Sequence, residues 1–178
     1  MNRKNARQAA IWIASALVCT ATLAQQQIPP GRCATPEARQ LDFWIGDWEL
    51  TWKNPDGTPA RGTNRIEAEL GGCVIHENFQ GAGAQPLIGR SYSVFSPQKK
   101  QWQQTWVDNS GGYLDLVGEF ADGKMVLTRE GILGNGKPGR QRMVFYNIAK
   151  DQFDWDWETS EDGGATWVKR WQIHYTRK

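Results

Sequence analysis

The strongest constraint on this chain is a two-residue period in its apolar side chains. Trp48, Leu50 and Trp52 alternate with Glu49, Thr51 and Lys53; Phe153, Trp155 and Trp157 alternate with Asp154, Asp156 and Glu158. Successive side chains of an extended strand point to opposite faces, so the pattern describes strands with one apolar and one wet face. Turn-forming clusters separate such runs: Asn54-Pro55-Asp56-Gly57, Gly71-Gly72, Gly81-Ala82-Gly83, Pro97-Gln98, Ser110-Gly111-Gly112, Asp122-Gly123, Gly134-Asn135-Gly136, Lys150-Asp151 and Asp162-Gly163-Gly164. A spacing of roughly eight to twelve residues belongs to all-β sandwiches and barrels.

The pattern predicts about ten strands, near residues 47–53, 61–70, 73–80, 88–96, 101–108, 112–120, 124–132, 140–149, 152–159 and 166–176. Parallel neighbours need long crossovers, and no second helix is available to make them. Neighbouring strands are therefore expected to pair as hairpins. A single sheet of that many strands must curl, and closing it removes the exposed edges. The expected fold class is all-β: an antiparallel up-and-down β-barrel, lipocalin-like, with a two-sheet sandwich as the rival. One short N-terminal helix is expected. Thr35 can cap it, Pro36 suits its first position, and it ends before Gly46, with Leu41, Phe43 and Trp44 pressed on the barrel as a plug. Ser160 to Trp167 fits the Asp-box pattern Ser-x-Asp-x-Gly-x-Thr-Trp. Its side chains bond local backbone, and one unrepeated box argues for a structural role.

The first residues do not belong to this pattern. Arg3, Lys4 and Arg7 precede an uncharged run from Ala9 to Ala24 that ends in Thr22-Leu23-Ala24. This predicts a signal peptide over residues 1–24, cleaved near Ala24, with a retained N-terminal anchor as the alternative. A mobile leader, 25–34, and a barrel domain, 35–178, would follow in a periplasmic or secreted protein without a membrane span. Of 21 Lys and Arg, three lie in the signal, leaving 18 against 19 Asp and Glu, a net −1. With no basic stripe, nucleic acid is not an expected partner. Cys33 and Cys73 are the cysteines that remain after cleavage, and in an oxidising compartment they are expected to pair. His76, His174 and the cysteines show no metal-ligand spacing.

Several stretches carry a family likeness: Arg39 to Glu49 (RQLDFWIGDWE), Leu70-Gly71-Gly72-Cys73-Val74, Glu77-Asn78-Phe79, Gln104-Thr105-Trp106-Val107-Asp108 and Asp162 to Trp167. They resemble a family of exported bacterial proteins of unknown function related to the lipocalin-like calycins. The resemblance runs in order from Cys33 to the C-terminus. It implies a barrel with a central cavity, and similarly spaced cysteines support the disulfide. A more distant likeness is to nitrobindin, a ten-stranded barrel that binds haem through a histidine near its C-terminus. Here His174 is the residue that likeness offers as a haem ligand, but the matching position falls near Arg170, and Gly46-Asp47-Trp48 lacks nitrobindin's extended glycine-rich repeat. No cofactor is therefore expected.

Trp102, Gln104 and Trp106 share one strand face, and a Gln between two Trp on an inward face needs a partner or a ligand. Glu77 shares a face with Cys73, Ile75 and Phe79, making it a candidate inward acid whose pKa burial would raise unless Arg90 or Arg142 pairs with it. Arg90 and Tyr92 share a face of the next strand. If that face is inward, an acid, an arginine and a tyrosine converge on a carboxylate or carbonyl ligand. Asp154, Asp156 and Glu158 are expected to face water as solubilising charges. The expected ligand-binding set is Glu77, Arg90, Tyr92, Trp102, Gln104 and Trp106, around a small apolar or amphipathic molecule. The alternatives are an envelope interaction module and an enzyme using Glu77 or His76 as acid/base.

Overall fold

The computed structural model describes residues 33–178. The proposed signal and nearly all of the leader lie outside them. Ten strands follow in chain order: β1 (Gly46–Lys53), β2 (Pro59–Glu69), β3 (Val74–Gly81), β4 (Ile88–Ser96), β5 (Gln101–Asp108), β6 (Tyr113–Ala121), β7 (Lys124–Ile132), β8 (Pro138–Tyr146), β9 (Gln152–Ser160) and β10 (Val168–Arg177). Each pairs antiparallel with its neighbours, and β1 pairs with β10 to close the barrel. The seam aligns Trp48 with Arg177 and Leu50 with Tyr175. That closure removes the sandwich alternative.

Boundaries shift where local geometry intervenes. The eighth strand stops at Tyr146 because Asn147 takes a positive φ of 52°. The last begins at Val168 because Thr166 and Trp167 are held in the preceding hairpin. There Asp162 accepts from the Thr166 N–H (2.9 Å) and hydroxyl (2.6 Å), and the Trp167 indole donates to the Gly164 carbonyl (3.0 Å). These bonds are the structural Asp-box expected. The predicted helix is instead two 3₁₀ turns, Glu37–Arg39 and Asp42–Trp44. Short runs favour the tighter turn, and Ile45 is already extended.

These turns plug one end. Leu41 and Trp44 are fully buried; Trp44 meets Phe145 edge-on at 5.1 Å, and Phe43 meets Phe153 at 5.5 Å. The Trp48 indole donates to the Trp44 carbonyl (2.7 Å), and Trp102 donates to Gln40 (3.1 Å). Arg177 clamps the plug from the far end of the chain, donating to the carbonyls of Ile45 (2.9 Å) and Phe43 (3.2 Å) while lying 4.1 Å over Trp48. Gly46 is needed here: its φ is +135°, and a Cβ would sit 2.3 Å from the Arg177 guanidinium.

A disulfide joins Cys33 to Cys73, beside the 3₁₀ turn Leu70–Gly72 that links β2 to β3. It fastens the start of the plug to the same barrel end, where Arg39 also donates to the Gly72 carbonyl (3.2 Å). The bridged residues are 40 apart, so closing that loop stabilises by about 4 kcal/mol through the unfolded state. The double substitution Cys33→Ser/Cys73→Ser is expected to lower the unfolding free energy in urea by about that amount. Added reductant should destabilise the parent and leave the double variant unmoved.

Candidate ligand-binding cavity

Alternation carries Trp48 and Leu50 (β1), Ile75, Glu77 and Phe79 (β3), Trp102 and Gln104 (β5) and Ile173 and Tyr175 (β10) into the barrel, all buried. Toward the plug these side chains fill the interior. Toward the opposite end the lining changes to half-buried Trp52, Leu87, Trp106, Leu114, Trp157 and Trp171. Between plug and mouth lies a cavity of about 210 Å³. Trp44 and Phe145 line its plug end; Glu77, Trp155, Ile173 and Tyr175 stand midway. The aromatic rings around it brace one another edge-on: Trp171 meets Trp52 at 5.5 Å and Trp155 at 5.6 Å, and Phe79 meets Trp106 at 5.9 Å.

Trp106 is held from both sides. On β4, Gly89 leaves room for its ring, which a Cβ would meet at 2.0 Å. From the β5–β6 turn, Asp108 accepts the Trp106 indole N–H (3.0 Å), the Ser110 N–H (2.9 Å) and hydroxyl (2.5 Å), and the Gly112 N–H (3.0 Å). Burial works to raise the Asp108 pKa, but these donors outweigh it and hold the carboxyl at about 2. A permanent anion therefore anchors the mouth tryptophan.

Glu77 is the acid of the interior, 5% exposed. Ser91 donates to its Oε2 (2.6 Å) and Asn64 to its Oε1 (2.7 Å); Asn64 also reaches the Tyr175 hydroxyl (3.3 Å). No cation bonds to it among the described residues. Burial pushes its pKa up to about 7, against the pull of the Ser91 and Asn64 bonds and of His76 and Arg90 through the sheet. Tyr175 is raised well above the ordinary phenol, by burial and then by Glu77. The Trp44 indole N–H has no acceptor among the described residues, and neither does the Gln104 Oε1 atom have a donor.

The structure thus brings Glu77 and Trp106 to the cavity and sets Trp102 and Gln104 deeper in the wall, where Gln104 donates to Ser93 (2.9 Å). Arg90 and Tyr92 do not join them. They occupy the outer face of β4, Tyr92 49% exposed and stacked 4.6 Å from His76. The inward face of β4 is small, Gly89, Ser91 and Ser93, because bulky Trp106 and Gln104 on β5 take the space opposite. A different tyrosine, Tyr175, stands near the acid, and Asn64 and Ser91 replace the expected arginine. Asn64 could have been placed from its two-residue step before Ile66, against the charged Arg61, Arg65, Glu67 and Glu69 on the other face of β2, and Tyr175 from its two-residue step beyond Ile173. His76 bonds Glu69 (2.7 Å) and His174 bonds Asp154 (2.8 Å), both outside the barrel, so His174 faces away from the interior. Arg142 pairs with Glu158, not Glu77.

The acid has a measurable signature. Its pKa is about 7 in the fold against 4.5 for an ordinary glutamate. Below the lower value both states are protonated and nothing is lost; above the higher one the fold must hold a buried anion. Stability should therefore fall by roughly 3 kcal/mol as pH rises through that window. Glu77→Gln should remove this slope, so that urea unfolding at pH 8 shows the variant more stable than the parent.

Residues 34–177 match the family model described as "Protein of unknown function (DUF1579)". No curated protein matches the chain in sequence. A solved structure of a redesigned β-barrel is similar at 16% identity and a TM-score of 0.43, covering 79% of this chain and 96% of that one. The family match spans nearly the whole described barrel, and the chain belongs to the DUF1579 family of proteins of unknown function.

Proposed function

We propose that this protein binds a small apolar or amphipathic molecule inside its barrel. The observation that carries this reading is the 210 Å³ cavity, aromatic along its walls, with the buried Glu77 carboxyl opening into it. Packed interiors leave few voids larger than a water molecule. A cavity of about 150 Å³ already suffices for benzene. This one suits a molecule of one ring or a short branched chain, entering past Trp106, Trp157 and Trp171 with its polar end toward Glu77 and Tyr175. The same reading places the protein in an oxidising compartment, periplasmic or secreted. The Cys33–Cys73 bond and the uncharged run Ala9–Ala24 after a basic start support that placement. No helix among the described residues is long and apolar enough to cross a membrane.

Toluene and benzyl alcohol serve as single-ring probes in ligand-observed NMR titrations. Binding is expected for at least one of them. Leu114→Trp, which fills the mouth side of the cavity, should weaken it by about tenfold or more while leaving the circular dichroism spectrum intact. Binding that ignores Leu114→Trp would put the ligand elsewhere on the molecule.

A further inference from the structure

The lining of the cavity is electrically one-sided. Its ionisable groups are an acid, Glu77, and a phenol, Tyr175; the rest are aromatic or aliphatic. The faces of Trp, Tyr and Phe carry the negative side of their quadrupoles. Glu77 itself is a buried carboxyl with two neutral donors and no counter-ion among the described residues, whereas buried charges are ordinarily paired with an opposite charge.

Among the described residues no cation lines the cavity, and those that act on Glu77 through the sheet are engaged elsewhere. Through the sheet, Arg90 lies on the outer face and donates to the Gly89 (2.7 Å) and Phe79 (3.3 Å) carbonyls, and His76 is held by Glu69. Arg129 shares the inward parity of Leu127 on β7, but it donates to Gln141 (2.6 Å), lies 3.7 Å from Asp115 and does not line the cavity. Arg177 is committed to the plug carbonyls. Inside, the groups packed against Glu77 from β2, β4 and β10 are Asn64, Ser91 and Tyr175, all uncharged at neutral pH.

We propose that the ligand of this cavity is a small organic cation, an ammonium on a ring-sized apolar body, with its charge at Glu77 and its body among the tryptophans. This rests on the cavity-binding reading above and narrows it. The cation supplies the counter-charge that Glu77 lacks, and cation–π attraction is strongest over Trp and grows when water is excluded. An anion of the same shape would meet the carboxylate and the ring faces with the wrong sign. Because Glu77 titrates near neutrality, the cation draws it into the ionised form, and binding releases a proton.

Benzylamine, benzyl alcohol and benzoate share one body and differ in charge. The amine stays protonated between pH 6 and 8, so Glu77 is the group whose state changes. Isothermal titration calorimetry of the whole protein, in two buffers of different ionisation enthalpy, reads affinity and proton release together. At pH 8 the amine should bind about tenfold or more tighter than the alcohol, with benzoate weakest. Its advantage should shrink toward pH 6, and near pH 7 its binding should release part of a proton. Glu77→Gln should remove most of the amine's advantage over the alcohol. The neutral alcohol is a demanding control, because its oxygen can accept the Trp44 N–H, which has no acceptor among the described residues. Alcohol binding equal to or tighter than amine binding at pH 8 would overturn the cation assignment and leave the cavity reading standing. So would an amine advantage that survives Glu77→Gln. Binding of none of the three would overturn the cavity reading itself.

Discussion

The pairing of β1 with β10 is the constraint on which the rest depends. Once Trp48 faces Arg177 and Leu50 faces Tyr175 across the seam, no strand is an edge and each strand has one inward set of side chains. The first and last strands also bring together the two ends of the described chain, so Arg177 can cap the turns that precede β1. A plug at one end and a closed wall then leave one direction in which the interior can stay open. The cavity lies there because the rings near the mouth are too large and too mutually braced to collapse into it.

Closure also imposes a size rule between neighbouring strands. Gln104 and Trp106 on β5 project inward beside Ser93 and Ser91 on β4, and the Trp106 ring takes the space over Gly89, where a Cβ would collide with it. The same small strand supplies the Ser91 hydroxyl that holds Glu77. The steric demand of Trp106 and the hydrogen bonding of the acid are thus two consequences of one narrow strip of backbone. Substitution at Gly89 would disturb both the mouth and, through the strand, the carboxyl.

The architecture was legible in the sequence because it rests on a period-two signal repeated many times and on turn residues that stop it. All ten strands and the disulfide follow from that reading and from the cysteine count. The site was legible only in part. Glu77 and Trp106 sit where alternation from their neighbours puts them. Arg90 and Tyr92 join the site only if their face of β4 points inward, and alternation alone does not choose the face: here Gly89, Ser91 and Ser93 face in, because the space opposite belongs to Gln104 and Trp106 of β5. Asn64 shares the inward parity of Gly62 and Ile66 on β2, opposite the charged Arg61, Arg65 and Glu67, but parity gives its face and not its partner, Glu77, thirteen residues on. The plug turned out as 3₁₀ turns, since capping signals at Thr35 and Pro36 specify a start and leave the number of residues per turn to packing.

The outer face shows what this chain does with acids it intends to keep quiet. Asp156, expected to face water, is only 4% exposed, and it is paired with Lys169 (2.7 Å) and accepts from Tyr146 (3.3 Å). Asp154 holds His174 and accepts from Asn147 (2.7 Å); Glu158 holds Arg142, which in turn lies 4.0 Å over Trp167. On β9 each acid thus has a cationic or titratable partner one strand away. A buried ion pair gains little net stability, but an unpaired buried charge costs several kcal/mol. Glu77 has two neutral donors, Ser91 and Asn64, and only the weaker pull of His76 and Arg90 through the sheet to offset that cost, beside the cavity. The contrast is physical: outside, opposite charges meet across strands; inside, one carboxyl faces an aromatic-walled cavity. A partner that arrives from solvent is what would complete that arrangement.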